Sequence, residues 1–233
     1  MLTTLLVLAL VALALLIGAA WGLWAPLPER LEGFLIALAG GALIVSIMSE
    51  LVERSAPHIP WIVLAACLLA GAVAFVLLDS FVKRKLGADS GGGLLVSVTL
   101  DGIPENLALG VALIGASGLE VAALAGSIFL SNLPEAAGGA KGMMADGYSK
   151  PKVFAIWTAT ALLLSAAALI GNLALADVPE SVLSPIRVFA AGVVAASLAI
   201  EVFPKAYEED RYATGIAVAL GLVAAQGLGQ LAG

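Results

Sequence analysis

Long apolar stretches alternate with short polar breaks along the whole chain of 233 residues. A helix needs about 20 mainly apolar residues to cross a lipid bilayer, and eight stretches approach or exceed that length. They are 2–24, 32–52, 60–82, 93–115, 120–140, 153–175, 184–204 and 212–232. The breaks carry proline, glycine or charged residues, and none is long enough to fold separately. The pattern therefore predicts an all-α, polytopic membrane protein in which 1–233 form one transmembrane domain.

Composition supports this class and removes several others. Hydrophobic residues make up 61% of the chain and charged residues 12%, with a mean hydropathy of +1.08. A soluble domain carries about 25% charged residues. A single cysteine, Cys67, and a single histidine, His58, exclude a disulfide scaffold, a haem site and a Cys/His zinc site. No basic patch is present, so nucleic acid is not an expected partner. The first stretch lacks a basic leader segment and is long enough to span, so we expect it to be retained.

The basic residues predict the orientation of the chain in the membrane. Loops on the cytoplasmic side carry an excess of Lys and Arg. If the N-terminus lies outside, only Arg54 and Arg187 of the 11 Lys and Arg residues fall on the outer side. We therefore expect a multi-pass protein of the cell membrane with both termini outside.

A weak internal repeat links the second and seventh spans. Residues 39–42 (Ala-Gly-Gly-Ala) lead to Glu50, and residues 191–194 (Ala-Gly-Val-Val) lead to Glu201. The two spans run in opposite directions across the membrane. Spans one to three and six to eight are therefore interpreted as inverted repeats around a central pair, a 3+2+3 arrangement. Transporters commonly bind substrate near the midplane at such a repeat interface.

The central pair of spans carries two related polar motifs. The fourth span contains Asp101-x-x-Pro104-Glu105, and the fifth contains Ser131-x-x-Pro134-Glu135. Residues four apart lie on one helix face, so each glutamate shares a face with the polar residue before it. Each proline frees a backbone carbonyl one turn earlier, which another group has to satisfy within the membrane. A cation bound between the two spans is one such group.

Energetics favour a function for these acids. An acid at mid-membrane costs roughly 2.5–3.5 kcal/mol on insertion scales. No Lys or Arg lies at the depth of the motifs, so we expect compensation by a cation, by protonation or by a water-filled cavity. A protonated glutamate that joins two helices would explain one motif, but it explains two motifs on adjacent spans poorly. If one of the carboxyl groups is held protonated, and therefore neutral, we expect movement of the cation to be coupled to movement of a proton.

At these motifs the sequence resembles the ZIP (Zrt/Irt-like) family of metal transporters. That family has eight helices with both termini outside, and His-x-x-Pro-Glu motifs in helices four and five around a one- or two-metal centre. Glu201-x-x-Pro204 in the seventh span is similar to a further family motif, and Ser46, Ser49 and Glu50 occupy the matching place in the second span. The resemblance extends over the whole chain.

The resemblance implies a metal site on the fourth and fifth spans. The implied ligands are Asp101, Glu105, Ser131, Asn132 and Glu135. Asp101 and Ser131 stand where the family has histidines, and Gly102 replaces an asparagine and offers no side chain. An all-oxygen site suits harder cations such as Mn²⁺, Mg²⁺ or Ca²⁺, whereas the family favours a transition metal such as zinc or iron.

Three further polar residues keep two interpretations each. Glu50 and Glu201 lie near helix ends, where they are either solvated or line the transport pathway. Asn172 in the sixth span faces either a neighbouring helix or an ancillary metal position.

We therefore expect a divalent metal cation transporter that works by alternating access toward the cytoplasm. The metal is the substrate, and no tightly bound cofactor is expected. The alternative is a proton- or sodium-coupled transporter of another small solute. A non-catalytic membrane scaffold is a third candidate, while an enzyme is not expected because hydrolase motifs and a catalytic histidine are missing. The lipid bilayer is the expected environment, and a homodimer is left open.

Overall fold

The structure, a computed structural model, describes residues 2–25, 27–86, 91–114 and 121–232, and it omits some side chains within the helices, including that of Asp101. The α-helices of these residues are α1 Leu2–Trp24, α2 Glu29–Ile47, α3 Trp61–Leu86, α4 Gly91–Ala112, α5 Ala122–Ala145, α6 Lys150–Ala174, α7 Glu180–Ser197, α8 Phe203–Asp210 and α9 Tyr212–Ala232. Every regular element in the described ranges is helical, which confirms the predicted all-α class.

Two short π-helical segments extend α2 and α7. The first, π1, covers Met48–Glu53 after α2, and the second, π2, covers Leu198–Val202 between α7 and α8. Glu50 lies in π1 and Glu201 lies in π2, so both copies of the sequence repeat end in a π-helical segment that contains a glutamate. A π segment widens one helical turn and often marks a functional site.

Six helical stretches of the described chain are long and apolar enough to cross a membrane. They are Thr4–Trp24, Glu29–His58, Trp61–Phe81, Lys150–Ala174, Glu180–Asp210 and Tyr212–Gln230. These six agree with six of the eight predicted spans. Helices α4 and α5 are not in this group, although both are 22 residues or longer.

The helices pack in matching pairs around a buried centre. Helix α1 packs on α5 as α6 packs on α4, and α2 packs on α9 as α7 packs on α3. Helix α2 also contacts α5, and α7 contacts α4. More than half of the apolar window of the α2 and α7 stretches is buried, whereas those of α3 and α9 are mostly exposed. The four inner helices α2, α4, α5 and α7 therefore surround the position of the predicted motifs.

Glycines allow the closest of these helix contacts. A Cβ atom on Gly41 of α2 would overlap the carbonyl oxygen of Val218 in α9. In the matching pair, a Cβ on Gly192 of α7 would overlap the carbonyl oxygen of Leu68 in α3. Small residues at these points let helix backbones approach directly, as is common for helices packed in membranes.

Candidate cation site between α4 and α5

Both predicted glutamates lie on helices that pack along each other. Pro104 and Pro134 lie inside α4 and α5, and both helices continue past them. The Glu105 residue is only 6% exposed, and Glu135 is half-buried. The sequence motifs therefore bring two acids from adjacent helices into the interior of the bundle.

The charges of the two glutamates act on each other. The carboxylate of Glu135 on α5 repels the carboxylate of Glu105 on α4. None of the ion pairs within 4.0 Å among the described residues involves either glutamate. Two buried carboxylates in this arrangement require protonation or a cation to offset their repulsion.

The charge of a basic side chain also acts on Glu135. Lys205 at the start of α8 attracts the Glu135 carboxylate electrostatically, while Glu201 and Glu32 repel it. This influence is tertiary, because α8 packs against α2, and α2 in turn packs against α5. Lys205 makes no ion pair with Glu135 in the described ranges, so the expectation that no Lys or Arg lies at the depth of the motifs to pair with the acids stays a prediction.

Ser131 is buried on α5 one turn before Glu135. Its hydroxyl donates a hydrogen bond to the Ile128 carbonyl oxygen at 3.1 Å. A hydroxyl that donates in this way keeps the lone pairs of its oxygen to accept a hydrogen bond or to contact a cation. For Asp101, the helical backbone is described but the side chain lies outside the described residues, so its ligand role stays a prediction.

Asn132 carries an unusual buried amide. The residue is 1% exposed, and its Nδ2 atom has no hydrogen-bond partner in the described ranges. By contrast, Asn106 on α4 donates its Nδ2 to the Gly102 carbonyl oxygen at 2.8 Å. Buried amides are nearly always paired, so the Asn132 amide has capacity for a ligand or water. Rotation of the amide by 180° would present its oxygen at the same place.

Polar residues on α5 form a line toward both ends of the bundle. Ser127, Ser131 and Glu135 are spaced by four and share one face, which we call the α5 polar line. Ser46 of α2 lies 3.5 Å from Ser127, Oγ to Oγ. Three residues after Glu135, a Cβ on Gly138 would overlap Oε1 of Glu32, again on α2. The line therefore follows the α2–α5 contact for roughly 16 Å from Ser127 to Gly138, at 1.5 Å per residue.

Beyond Glu135, the line reaches a group of charged residues that was not predicted from the sequence. Lys205 Nζ lies 3.0 Å from Oε1 of Glu32 and 4.0 Å from Oε1 of Glu209. Glu32 is 4% exposed and therefore almost fully buried. Spacing carried a partial signal, since Glu201, Lys205 and Glu209 are four apart, but the partner on α2 had no such signal.

The structure places Glu201 and Glu50 in different surroundings. Glu201 Oε1 lies 2.8 Å from Lys83 Nζ of α3, and the same lysine lies 3.0 Å from Asp79 Oδ1. Glu201 is thus neither simply solvated nor remote from the site, because its charge also acts on Glu135. Glu50 is half-buried in π1.

Asn172 joins two helices. Its Nδ2 donates a hydrogen bond to the Gly110 carbonyl oxygen of α4 at 3.0 Å. Of the two interpretations of this residue, the contact supports the one in which it faces a neighbouring helix.

The opposite end of the bundle holds the two arginines. Arg54 donates to the carbonyl oxygens of Ala112 and Ile114 at 3.3 and 3.1 Å, which satisfies acceptors at the C-terminal end of α4. Arg187 is fully buried and lies 2.7 Å from Glu180 Oε2. The lysines Lys83 and Lys205 lie at the other end with Glu32, and we call that end the basic end.

Among the described side chains, no group of three or more His, Cys, Asp or Glu residues is arranged to hold a metal ion. That statement does not cover Asp101, nor serine and asparagine ligands. The described part of the site consists of the Glu105–Glu135 pair with Ser131 and Asn132 on α5.

No protein-family model matches the chain, and no curated protein matches it significantly. The resemblance to the ZIP family therefore depends on the motif residues alone.

Proposed function

We propose that the protein is a divalent metal cation transporter of the ZIP type, with its site between α4 and α5. Glu105 and Glu135 supply the negative charge, Asn132 and Ser131 supply neutral oxygen ligands, and Asp101 completes the site from α4. The cation is the substrate and crosses the membrane by alternating access.

The observation that carries this proposal is the pair of glutamates inside the bundle. Glu105 is 6% exposed and faces the charge of a second acid without an ion pair within the described chain. A buried charge is retained only where a partner offsets its loss of hydration. A passing divalent cation would offset both carboxylates at once.

The packing pairs support a 3+2+3 inverted repeat with eight spans. Exchanging α1 with α6, α2 with α7, α3 with α9 and α4 with α5 converts the α1–α5 contact into α6–α4, α2–α9 into α7–α3 and α2–α5 into α7–α4, all of which are observed. In this arrangement α4 and α5 are the central pair, and the α2–π1 and α7–π2 stretches are equivalent interrupted helices. Such helices commonly border the substrate site of transporters.

The basic residues support an orientation with both termini outside the cell membrane. The basic end, with Lys83 and Lys205, would face the cytoplasm, in agreement with the positive-inside rule. Arg54 and Arg187 would then lie at the outer end. The proposed direction of uptake is from the Ser46–Ser127 contact toward Glu135 and the basic end.

The donor set supports a hard or borderline cation. Carboxylate, amide and hydroxyl oxygens are the ligands that Mn²⁺, Mg²⁺ and Ca²⁺ prefer, and the proposed ligand set contains no histidine to favour zinc. The one histidine of the chain, His58, is not among the predicted ligands, so we expect Mn²⁺ to be transported better than Zn²⁺.

Purified protein in liposomes that contain a metal-sensitive dye tests the function. Metal entry is measured for Mn²⁺, Zn²⁺, Fe²⁺, Mg²⁺ and Ca²⁺ at two pH values. Loss of one charged ligand costs about 2–3 kcal/mol, or roughly 30- to 150-fold in affinity. Glu105→Gln and Glu135→Gln should each reduce metal entry to that extent, and the double variant should abolish it.

The exposed acid Glu208 of α8 provides a matched control. Glu208→Gln changes the net charge of the protein by the same amount and should leave transport unchanged. Wild-type rates of metal entry in a well-folded Glu105→Gln/Glu135→Gln variant would refute the proposal. Metal-independent proton flux that requires both glutamates would favour the alternative, a proton-coupled transporter of another solute.

A further inference from the structure

The polar line on α5 ends at a charged contact between two other helices. Lys205 of α8 and Glu32 of α2 are separated by 173 positions in the chain, and their charged atoms are 3.0 Å apart. The side chain of Glu32 is 6% exposed and that of Lys205 is 27% exposed. The pair is thus shielded from water on the carboxylate side and partly open on the ammonium side.

Space for this contact comes from α5. Gly138 has no side chain, and a Cβ there would overlap Oε1 of Glu32. Glu135 lies three residues earlier on the same helix and is affected by the charges of both Glu32 and Lys205. The Lys205–Glu32 pair therefore lies where the polar line leaves Glu135 toward the basic end.

We propose that the Lys205–Glu32 ion pair is the gate at the basic end, closed in this structure, and that it has to open for a cation to leave Glu135. The ammonium group of Lys205 supplies the positive charge that balances Glu32 while the gate is closed. A cation that arrives at Glu135 repels Lys205 and competes with it for the Glu32 carboxylate. This inference rests on the proposed transport function for its substrate, but the closure itself is a property of the folded protein.

Glu209 offers a second carboxylate to the same lysine. Its Oε1 atom is 4.0 Å from Lys205 Nζ, and its side chain is 17% exposed. A lysine released from Glu32 would therefore keep a carboxylate partner one turn further along α8. Exchange of Lys205 between these two acids gives the gate an open and a closed position without leaving the ammonium group unpaired.

Accessibility of a cysteine behind the gate tests the closure without any transport measurement. Ser131 is replaced by cysteine in a Cys67→Ala background, and labelling by a positively charged, water-soluble thiol reagent is followed in detergent. Lys205→Met and Glu32→Gln should each raise the labelling rate at position 131 at least tenfold. Lys205→Arg and the charge-reversed pair Glu32→Lys/Lys205→Glu should stay near the parent rate, because both retain an ion pair.

Two controls separate a local gate from a general loosening of the fold. Lys141 is exposed on α5 near the same end, and Lys141→Met should leave the labelling rate unchanged. A cysteine in place of Ser55, which is buried near the opposite end, should be labelled at the same rate with or without Lys205. Equal increases at positions 131 and 55, or no increase at 131 in both Lys205→Met and Glu32→Gln, would overturn the gate.

The result is independent of the proposed function. If the protein moves no metal, labelling still reports whether the ion pair closes the basic end. If metal entry depends on Glu105 and Glu135 but the labelling rate does not respond to changes at Lys205 and Glu32, the proposed transport function is supported and the proposed gate is wrong.

Discussion

Three glycine-to-alanine substitutions in α4 and α5 should have three different outcomes, because the added methyl group meets a different obstacle in each. At Gly126 of α5, a Cβ atom has nothing within 4 Å. At Gly138 of α5, it meets the end of the flexible Glu32 side chain, and at Gly110 of α4 it meets the backbone carbonyl oxygen of Ala168 in α6. The same chemical change is thus made in open space, against a side chain and against a helix backbone.

The expected magnitudes follow from these obstacles. Alanine in place of glycine within a helix gains about 1 kcal/mol from backbone propensity. Gly126→Ala should keep that gain. For Gly138→Ala, the free energy of unfolding should change by almost nothing, because the added methyl group displaces Glu32 and this offsets the gain. Gly110→Ala has to separate α4 from α6 at a cost of about 1–3 kcal/mol, so a net loss of up to about 2 kcal/mol is expected.

Thermal unfolding of the purified variants in detergent measures this series. One kcal/mol corresponds to roughly 2–4 °C in a chain of 150–250 residues. We expect Gly126→Ala to melt slightly above the parent, Gly138→Ala close to it and Gly110→Ala below it by up to about 8 °C. Gly138→Ala should also raise labelling of a cysteine at position 131, since it displaces Glu32 without changing any charge. A Gly110→Ala protein as stable as Gly126→Ala would show that α4 and α6 do not approach as closely as described.

Three further predictions concern side-chain contacts. The double variant Lys83→Met/Glu201→Gln should lose less stability than the sum of the losses of the two single variants. The difference should be only about 0.5 kcal/mol, because the lysine is 40% exposed and water screens the pair. Strictly additive losses would contradict the contact. Burial works to lower the pKa of Lys83, which lies beyond the Trp61–Phe81 stretch, but hydrogen bonds and charges from Glu201 and Asp79 raise it above its ordinary value of 10.5. The charge of Lys83 should therefore stabilise the protein fully below pH 10.5, and this effect should be lost as the pH rises through the raised pKa. A coupling energy between Lys83 and Glu201 that vanishes between pH 6 and pH 9 would contradict this prediction. Asn172→Leu should lower the stability by about 1 kcal/mol through loss of its bond to Gly110 and leave metal selectivity unchanged; altered selectivity in the liposome assay would instead support the ancillary metal position.

Much of the helix pattern follows directly from the order of residues. Stretches 2–24 and 212–232 were predicted with the bounds that α1 and α9 have. The seventh stretch was predicted to end at residue 204, yet the helix continues through π2 and α8 to Asp210. The charged residues after Pro204 indicated a break, but Lys205 is paired there with Glu32 of α2, a contact that no local pattern contains.

The candidate site was predicted in part for the same reason. Residues four apart on one helix share a face in any environment, so the motifs predicted that Asp101 accompanies Glu105 on α4 and that Ser131 accompanies Glu135 on α5. Asn132 was added by the family resemblance. The internal repeat and the family resemblance singled out Glu201, but neither indicated its partner Lys83 on α3. Glu32 was missed because an acid near the start of an apolar stretch is usually solvated, and only its contact with Gly138 shows that it is buried.

By itself, the sequence of this protein determines its membrane-type composition, the places where most helices begin and end, and the residues that share a face within one helix. These properties depend on hydrophobicity and on the helical repeat, which act over short distances along the chain. Only the tertiary structure decides that Lys205 meets Glu32, that Asn172 bonds to Gly110 and that Lys205 influences Glu135. Such contacts depend on which faces of different helices pack together, and that choice is made by many weak interactions between residues far apart in the chain.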